Sequence, residues 1–99
     1  MPRGNAPCRT DANQPAIVKA LRQASYYVCL LHMVGGGFPD VLVVGKCGGV
    51  MLMEIKQPGE TLNEREIIFH RMYPGRVSIA QTAEQAITIM RNFDEEALE

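Results

Sequence analysis

Apolar residues alternate with polar ones along this chain in two distinct rhythms. Ile17, Ala20, Leu21 and Ala24 recur at the three- and four-residue spacing of one helical face. Pro15 fits a first helical turn, where its missing N–H costs nothing, and Asn13 or Gln14 can cap it. The spacing predicts a helix from about Pro15 to Ala24. Tyr26 to Leu31 is short and rich in strand formers, so a strand is expected there. Gly35-Gly36-Gly37 then breaks the chain, and Val41 to Val44 is continuously apolar, as in a strand buried on both faces. Gly45 to Gly48 supplies turn residues, and Val50 to Lys56 returns as a third strand. After Pro58-Gly59, Thr61 and Glu64 have capping-box spacing and open a helix to about Met72, stopped by Pro74-Gly75. Val77 to Ala80 alternates as a fourth strand, and Thr82 with Gln85 opens a last helix carrying Ala83, Ala86, Ile87 and Met90 on one face.

The expected order is helix, three strands, helix, strand, helix, an α/β chain with a mixed four-stranded sheet. Ninety-nine residues suit one domain. Residues 1–10 read as a loose N-terminal arm, 11–93 as the domain and 94–99 as an acidic tail. The net charge of −1 conceals that division: four of the 11 acids lie in the last six residues, leaving residues 1–93 with 10 bases against 7 acids. A polyanionic partner is permitted by that balance, not demanded. No apolar run approaches the ~20 residues of a membrane span, and no secretory h-region opens the chain. Three cysteines, Cys8, Cys29 and Cys47, lack paired spacing, which argues for a reducing, cytoplasmic compartment and against a zinc site. Cys29 reads as a plain buried cysteine.

The informative residues are Asp40, Glu54 and Lys56. Strand side chains alternate faces, so Glu54 and Lys56 share one with Val50 and Leu52, while Met51, Met53 and Ile55 share the other. Charges at the end of an apolar central strand are costly unless paired, hydrated or bound. If the turn is the three residues Lys46-Cys47-Gly48, Gly45 pairs with Gly49 and Asp40 falls opposite Glu54, with side chains ~5 Å apart. Two ionised carboxylates that close repel, and one has its pKa raised. Mg²⁺ resolves the conflict, since it takes hard oxygens and needs one or two protein carboxylates. Lys56 would then stabilise developing charge or orient an attacking water, an arrangement suited to phosphodiester hydrolysis. Either fragment alone is a common structural feature, Pro-Asp as a turn and Glu-x-Lys as a charge pair.

Together, Pro39-Asp40, thirteen intervening residues and Glu54-Ile55-Lys56 resemble the PD-(D/E)xK nuclease superfamily. The continuation, Gln57-Pro58-Gly59-Glu60-Thr61-Leu62 with a helix and then Gly75, is similar to its VRR-NUC branch. The likeness covers about residues 11–90. It implies a restriction-endonuclease-like core (αβββαβα), with Asp40, Glu54 and the Ile55 carbonyl holding Mg²⁺ or Mn²⁺, and Lys56 as the catalytic lysine. Where the family often has an acid near the start of the first helix, this chain has Gln14, which would touch a cation weakly or through water. Glu66 stands where the family tends to place a glutamine. Small stand-alone members occur in bacteriophages, which would put the protein in a host cytoplasm, and such relatives act as dimers on branched DNA.

The expectation is therefore a metal-dependent DNA endonuclease acting on branched or structured DNA, a four-way junction or a flap. A homodimer is expected because so small a core offers little surface to grip a duplex. Arg22, Lys46, Arg65, Arg71 and Arg76 are candidates for a DNA backbone footprint, or else a solvated surface. His32 and His70 could contact phosphate, act as a base, or be plain surface residues. Gly35 to Gly37 could let DNA approach closely or simply connect two strands. The alternative is a nuclease-like module that binds nucleic acid with weak or absent catalysis, which Gln14 and the modest body charge favour.

Overall fold

The computed structural model describes residues 12–31 and 33–98. The expected N-terminal arm, Cys8 and His32 lie outside them. Helix α1 (Gln14–Gln23) leads into β1 (Tyr27–Leu30), β2 (Val41–Val44) and β3 (Val50–Ile55). Helix α2 (Glu64–Met72) then crosses to β4 (Val77–Ala80), and α3 (Ala83–Ala97) follows. The four strands form one mixed sheet in the order β1-β2-β3-β4. β1, β2 and β3 run antiparallel in turn, while β4 lies parallel to β3, as a helical crossover requires. The compact α/β architecture with a four-stranded mixed sheet and three helices matches the coarse expectation. No described helix is long and apolar enough to cross a membrane.

One sheet face is closed. Val28, Val41, Val43, Met51, Met53, Ile55 and Ala80 meet Ile17, Val18 and Leu21 of α1 and Ala86 and Met90 of α3 in a single core. Alternation along the strands drives this, because odd-numbered positions of β2 and β3 all point to that side. The other face is a different environment. β2 is buried only at Val41 and Val43, with Leu42 and Val44 half-covered, so the strand is not closed on both faces as its run of four apolar residues suggests. Helix α2 meets that side at the open strand end, where Glu66 pairs with Lys56.

Three further local readings are corrected. α2 is capped by Asn63, whose side chain accepts from Glu66 N while Glu66 Oε1 accepts from Asn63 N, a capping box two residues beyond Thr61 and Glu64. The acids at Asp94 to Glu96 do not form a separate tail, since α3 continues through them to Ala97. Asp94 holds that helix end down by accepting from Tyr26 Oη (2.8 Å) and Lys46 N (2.9 Å). Cys29 is half-buried rather than buried, because it points to the open face of β1.

Candidate active site

The β2–β3 register places the site. Gly45 N donates to Gly49 O across the turn, and Val44 pairs with Val50 and Val41 with Met53, so the next rung sets Asp40 opposite Glu54. Asp40 Oδ2 accepts from Ile55 N at 2.7 Å, which pins the carboxylate at the mouth of the two strands. Ile55 turns its own side chain into the core, fully buried.

Glu54 is only 3 % exposed, and its Oε1 is buried with no hydrogen-bond partner. Burial raises its pKa most; a hydrogen bond with Asp40, the charge of Asp40 and the charge of Glu66 add to this, and Lys56 pulls the other way. The result is a carboxyl pushed up to about 9. An acid this reluctant to ionise is what crowded carboxylates produce. It marks a functional-site candidate with a stated physical cause.

Lys56 reaches over the same face and its Nζ lies 2.9 Å from Glu66 Oε1. Burial opposes the ammonium's charge, but Glu66, with smaller effects of Glu54 and Glu60, raises the lysine pKa overall. Glu66 is lowered despite its burial, because the Asn63 N–H and Lys56 stabilise the anion. One oxygen thus closes the α2 capping box and receives the lysine. The sequence signal for this role of Glu66 is the Asn63-x-x-Glu66 spacing, which overlaps the Thr61-x-x-Glu64 match.

The loop before Asp40 is fitted to α2. Gly37 has φ +87°, and a Cβ there would come 2.6 Å from Arg65 Cβ, so only glycine fits this approach. Phe38 packs edge-on against Phe69, with centroids 5.0 Å apart, and Phe69 lies tilted at 40° against Tyr73, with centroids 4.9 Å apart. These contacts hold α2, and with it Glu66, against the strand end. From below, Asn13 Nδ2 donates to Lys56 O (3.1 Å) and Gln81 O (2.7 Å), tying the start of α1 to the ends of β3 and β4.

The other expected site residues are placed unequally. Gln14 is buried (4 % exposed) and lines a cleft of about 580 Å³ between α1 and β1 with Val18, Lys19, Arg22 and Leu30. Arg22 donates to Val28 O at 3.0 Å and so serves the packing of α1. Lys46 sits at the turn, ~20 Å along the strands from Asp40 at ~3.3 Å per residue, with its ammonium 4.8 Å above the Tyr26 ring. Arg65, Arg71 and Arg76 are exposed on or just beyond α2. His70 is half-buried on α2, its pKa lowered by burial and its Nε2 buried without a partner.

Among the described residues, no group of three or more His, Cys, Asp and Glu side chains is arranged to hold a metal ion. The donor set at the strand end is two carboxylates, which suits a cation that keeps most of its own water. Its chemistry fits: Glu54 Oε1 is an orphaned buried oxygen, and a cation would relieve the crowding of Glu54 against Asp40. In comparisons with known proteins, the chain matches no family model, no curated protein and no solved structure.

Proposed function

We propose that the chain is a metal-dependent nuclease that hydrolyses phosphodiester bonds in DNA, as the PD-(D/E)xK-like motif implies. The observation that supports this most is the rung that sets buried Glu54 against Asp40 at an open strand end, with Lys56 on the same face. Asp40 and Glu54 would hold Mg²⁺ or Mn²⁺, with the Ile55 carbonyl as a further oxygen. A divalent ion bound there supplies an activated water and neutralises phosphate charge. Lys56 would stabilise charge developing on the phosphate oxygens. Arg65, Arg71 and Arg76 would contact the backbone, since phosphates dominate such affinity, whereas Arg22 and Lys46 are engaged within the fold. Branched or flapped DNA and a pair of subunits belong to the same reading.

Two observations favour a second reading, a nucleic-acid-binding module with weak catalysis. The Lys56 ammonium is held by Glu66 at 2.9 Å, and Gln14 contributes no acid. The test is cleavage of labelled single-stranded, duplex, flap and four-way-junction DNA with Mg²⁺, Mn²⁺ or EDTA. Metal-dependent cutting that disappears in Asp40→Ala and Lys56→Ala, with circular dichroism unchanged, is expected. Tight binding without cutting under either metal moves the assignment to the binding module, and full activity in either variant overturns the site.

A further inference from the structure

Gln14 is a buried amide with nothing to bond. It is 4 % exposed, and among the described residues no hydrogen bond engages its side chain, whereas Asn13 beside it donates to two carbonyls. Such a group is costly in a folded chain unless something else meets it. The space it lines is the cleft of about 580 Å³ between α1 and the edge strand β1. That volume falls within the ~300–1,000 Å³ of small-molecule sites.

The rest of the lining defines a ligand. Pro15 and Val18 of α1 and Leu30 of β1 give the cleft apolar walls, and Lys19 and Arg22 border it. α1 carries both cations and no acid, and among the described residues no acid lines the cleft. The Arg22 guanidinium is fixed by Val28 O at 3.0 Å and so adds a steady positive charge, while Lys19 is exposed on its long stem. An amide that both donates and accepts, apolar walls and two cations suit an apolar body with a polar edge and an anionic group. A nucleotide has those three parts.

The cleft also adjoins the carboxylate end. Leu30 precedes Leu31, whose N–H donates to Asp40 O at 2.8 Å, and Gln14 follows Asn13, which holds Lys56 O. A DNA strand with one phosphate at Asp40 and Glu54 would have its neighbouring nucleotides beside this opening.

We propose that the cleft holds one unpaired nucleotide of the DNA strand, with its base between Pro15, Val18 and Leu30. The polar edge of the base meets the Gln14 amide, and its phosphate meets Lys19. A base enters such a pocket only when it is out of the duplex stack, so the site selects strands with an unpaired nucleotide near the scissile phosphate. An amide suits this where the resemblance expects an acid: a carboxylate only accepts, whereas an amide offers N–H and C=O to a base edge and does not repel the phosphate. The proposal rests on the nuclease reading for the identity of the strand, but its test needs no cleavage.

Fluorescence anisotropy in EDTA compares a labelled single strand of ~12 nucleotides with a blunt duplex of the same sequence. Backbone contacts elsewhere serve both probes, and the single strand is expected to bind about tenfold tighter, the scale of one base contact. Gln14→Leu removes the base-edge contact and Leu30→Thr one wall, and neither changes the charge. Each is expected to weaken the single strand about tenfold and to leave the duplex and the circular dichroism spectrum unchanged. Leu30 is 43 % exposed, so Leu30→Thr carries the test if Gln14→Leu does not fold. Lys19→Gln should weaken the single strand, and Lys46→Gln, at the turn end, should not. Deoxyadenosine monophosphate should displace the single strand only at far higher concentration, and inorganic phosphate less well still. Equal binding of the two probes overturns the proposal, as does a single strand held by Gln14→Leu and Leu30→Thr as tightly as by the wild type. Phosphate as effective as the mononucleotide reduces the cleft to a plain anion site and overturns it too. A mononucleotide as effective as the strand overturns the assignment to DNA and gives the cleft to a free nucleotide. A chain that shows the Gln14 effect and cuts nothing removes only the nuclease reading; a chain that cuts and lacks the effect removes only this one.

Discussion

The two ends of the β2–β3 hairpin use similar parts and finish them differently. At the turn end the Asp94 carboxylate takes the Tyr26 hydroxyl on one oxygen and Lys46 N on the other, with the lysine ammonium resting on the tyrosine ring. At the open end Asp40 takes Ile55 N, but Glu54 beside it is buried with one oxygen unpartnered and its pKa far above the usual carboxylate range. The first end is a satisfied network, which fastens α3 to the hairpin. The second tolerates an unsatisfied acid that packing alone does not explain, and such groups call for a functional account. The difference lies in donors: a carboxylate supplied with N–H and O–H groups belongs to the fold, and one pressed against another carboxylate suits a cation.

The sharpest way to break this contrast is to mutate the two ends alike. Asp40→Asn should lower metal-dependent cleavage by ~10³-fold, the scale of losing one charge-stabilising group, with little change in urea midpoint. Asp94→Asn should do the reverse. Losing one of the two acceptor oxygens should cost about 1–3 kcal/mol in urea denaturation, with cleavage per folded molecule unchanged. If Asp94→Asn impaired cutting while the fold held, the turn end would share in the chemistry and the division of labour would fail.

A smaller effect should separate the ends by pH. Glu54 has its folded pKa near 9, above its unfolded value near 4.5, so the fold favours the neutral acid. The corresponding stability is complete below about pH 4.5 and is lost as pH rises toward 9. The melting temperature of the metal-free chain should therefore decline between pH 6 and 9, and Mg²⁺ should raise it more at the upper end. Glu54→Gln should flatten the decline and remove the response to Mg²⁺. The turn end should add no slope in this range, because burial and the Asp94 hydrogen bond push Tyr26 up to about 12. A metal-free melting curve flat from pH 6 to 9 would contradict the crowded-carboxylate account.

Much of this geometry was legible in the residues, for identifiable reasons. Glycines at 45, 48 and 49 confine the hairpin to one tight turn, and a fixed turn fixes every rung, including Asp40 against Glu54. Where local signals compete, the sequence is ambiguous. Thr61-x-x-Glu64 and Asn63-x-x-Glu66 are both capping boxes on paper, and the second prevails in the structure, where Glu66 also meets Lys56 across the fold. Four apolar residues in β2 say nothing of whether one helix or two will cover the second face. Basic residues are as opaque: Arg22 and Lys46 look like any surface cation until Val28 O and the Tyr26 ring are seen to hold them.

The smallest expected effect lies on the link between the open end and α2. Glu66 Oε1 receives both Asn63 N and Lys56 Nζ, and its charge adds to the load on Glu54. Glu66→Gln keeps an acceptor oxygen for the helix cap and for the lysine but deletes the charge. The cap should survive, since glutamine keeps the oxygen that receives Asn63 N. Lys56 would then be held less tightly and Glu54 would ionise more readily. Both changes favour a lysine that turns toward a phosphate and a carboxylate that accepts a cation. Cleavage should rise by about two- to fivefold, the kinetic equivalent of an interaction worth under ~1 kcal/mol, and half-saturation by Mg²⁺ should move to lower concentration. A tenfold fall instead would mean that the Glu66 charge takes part in the reaction. The open end would then comprise three acids and a lysine, and the contrast with the satisfied turn end would be greater still.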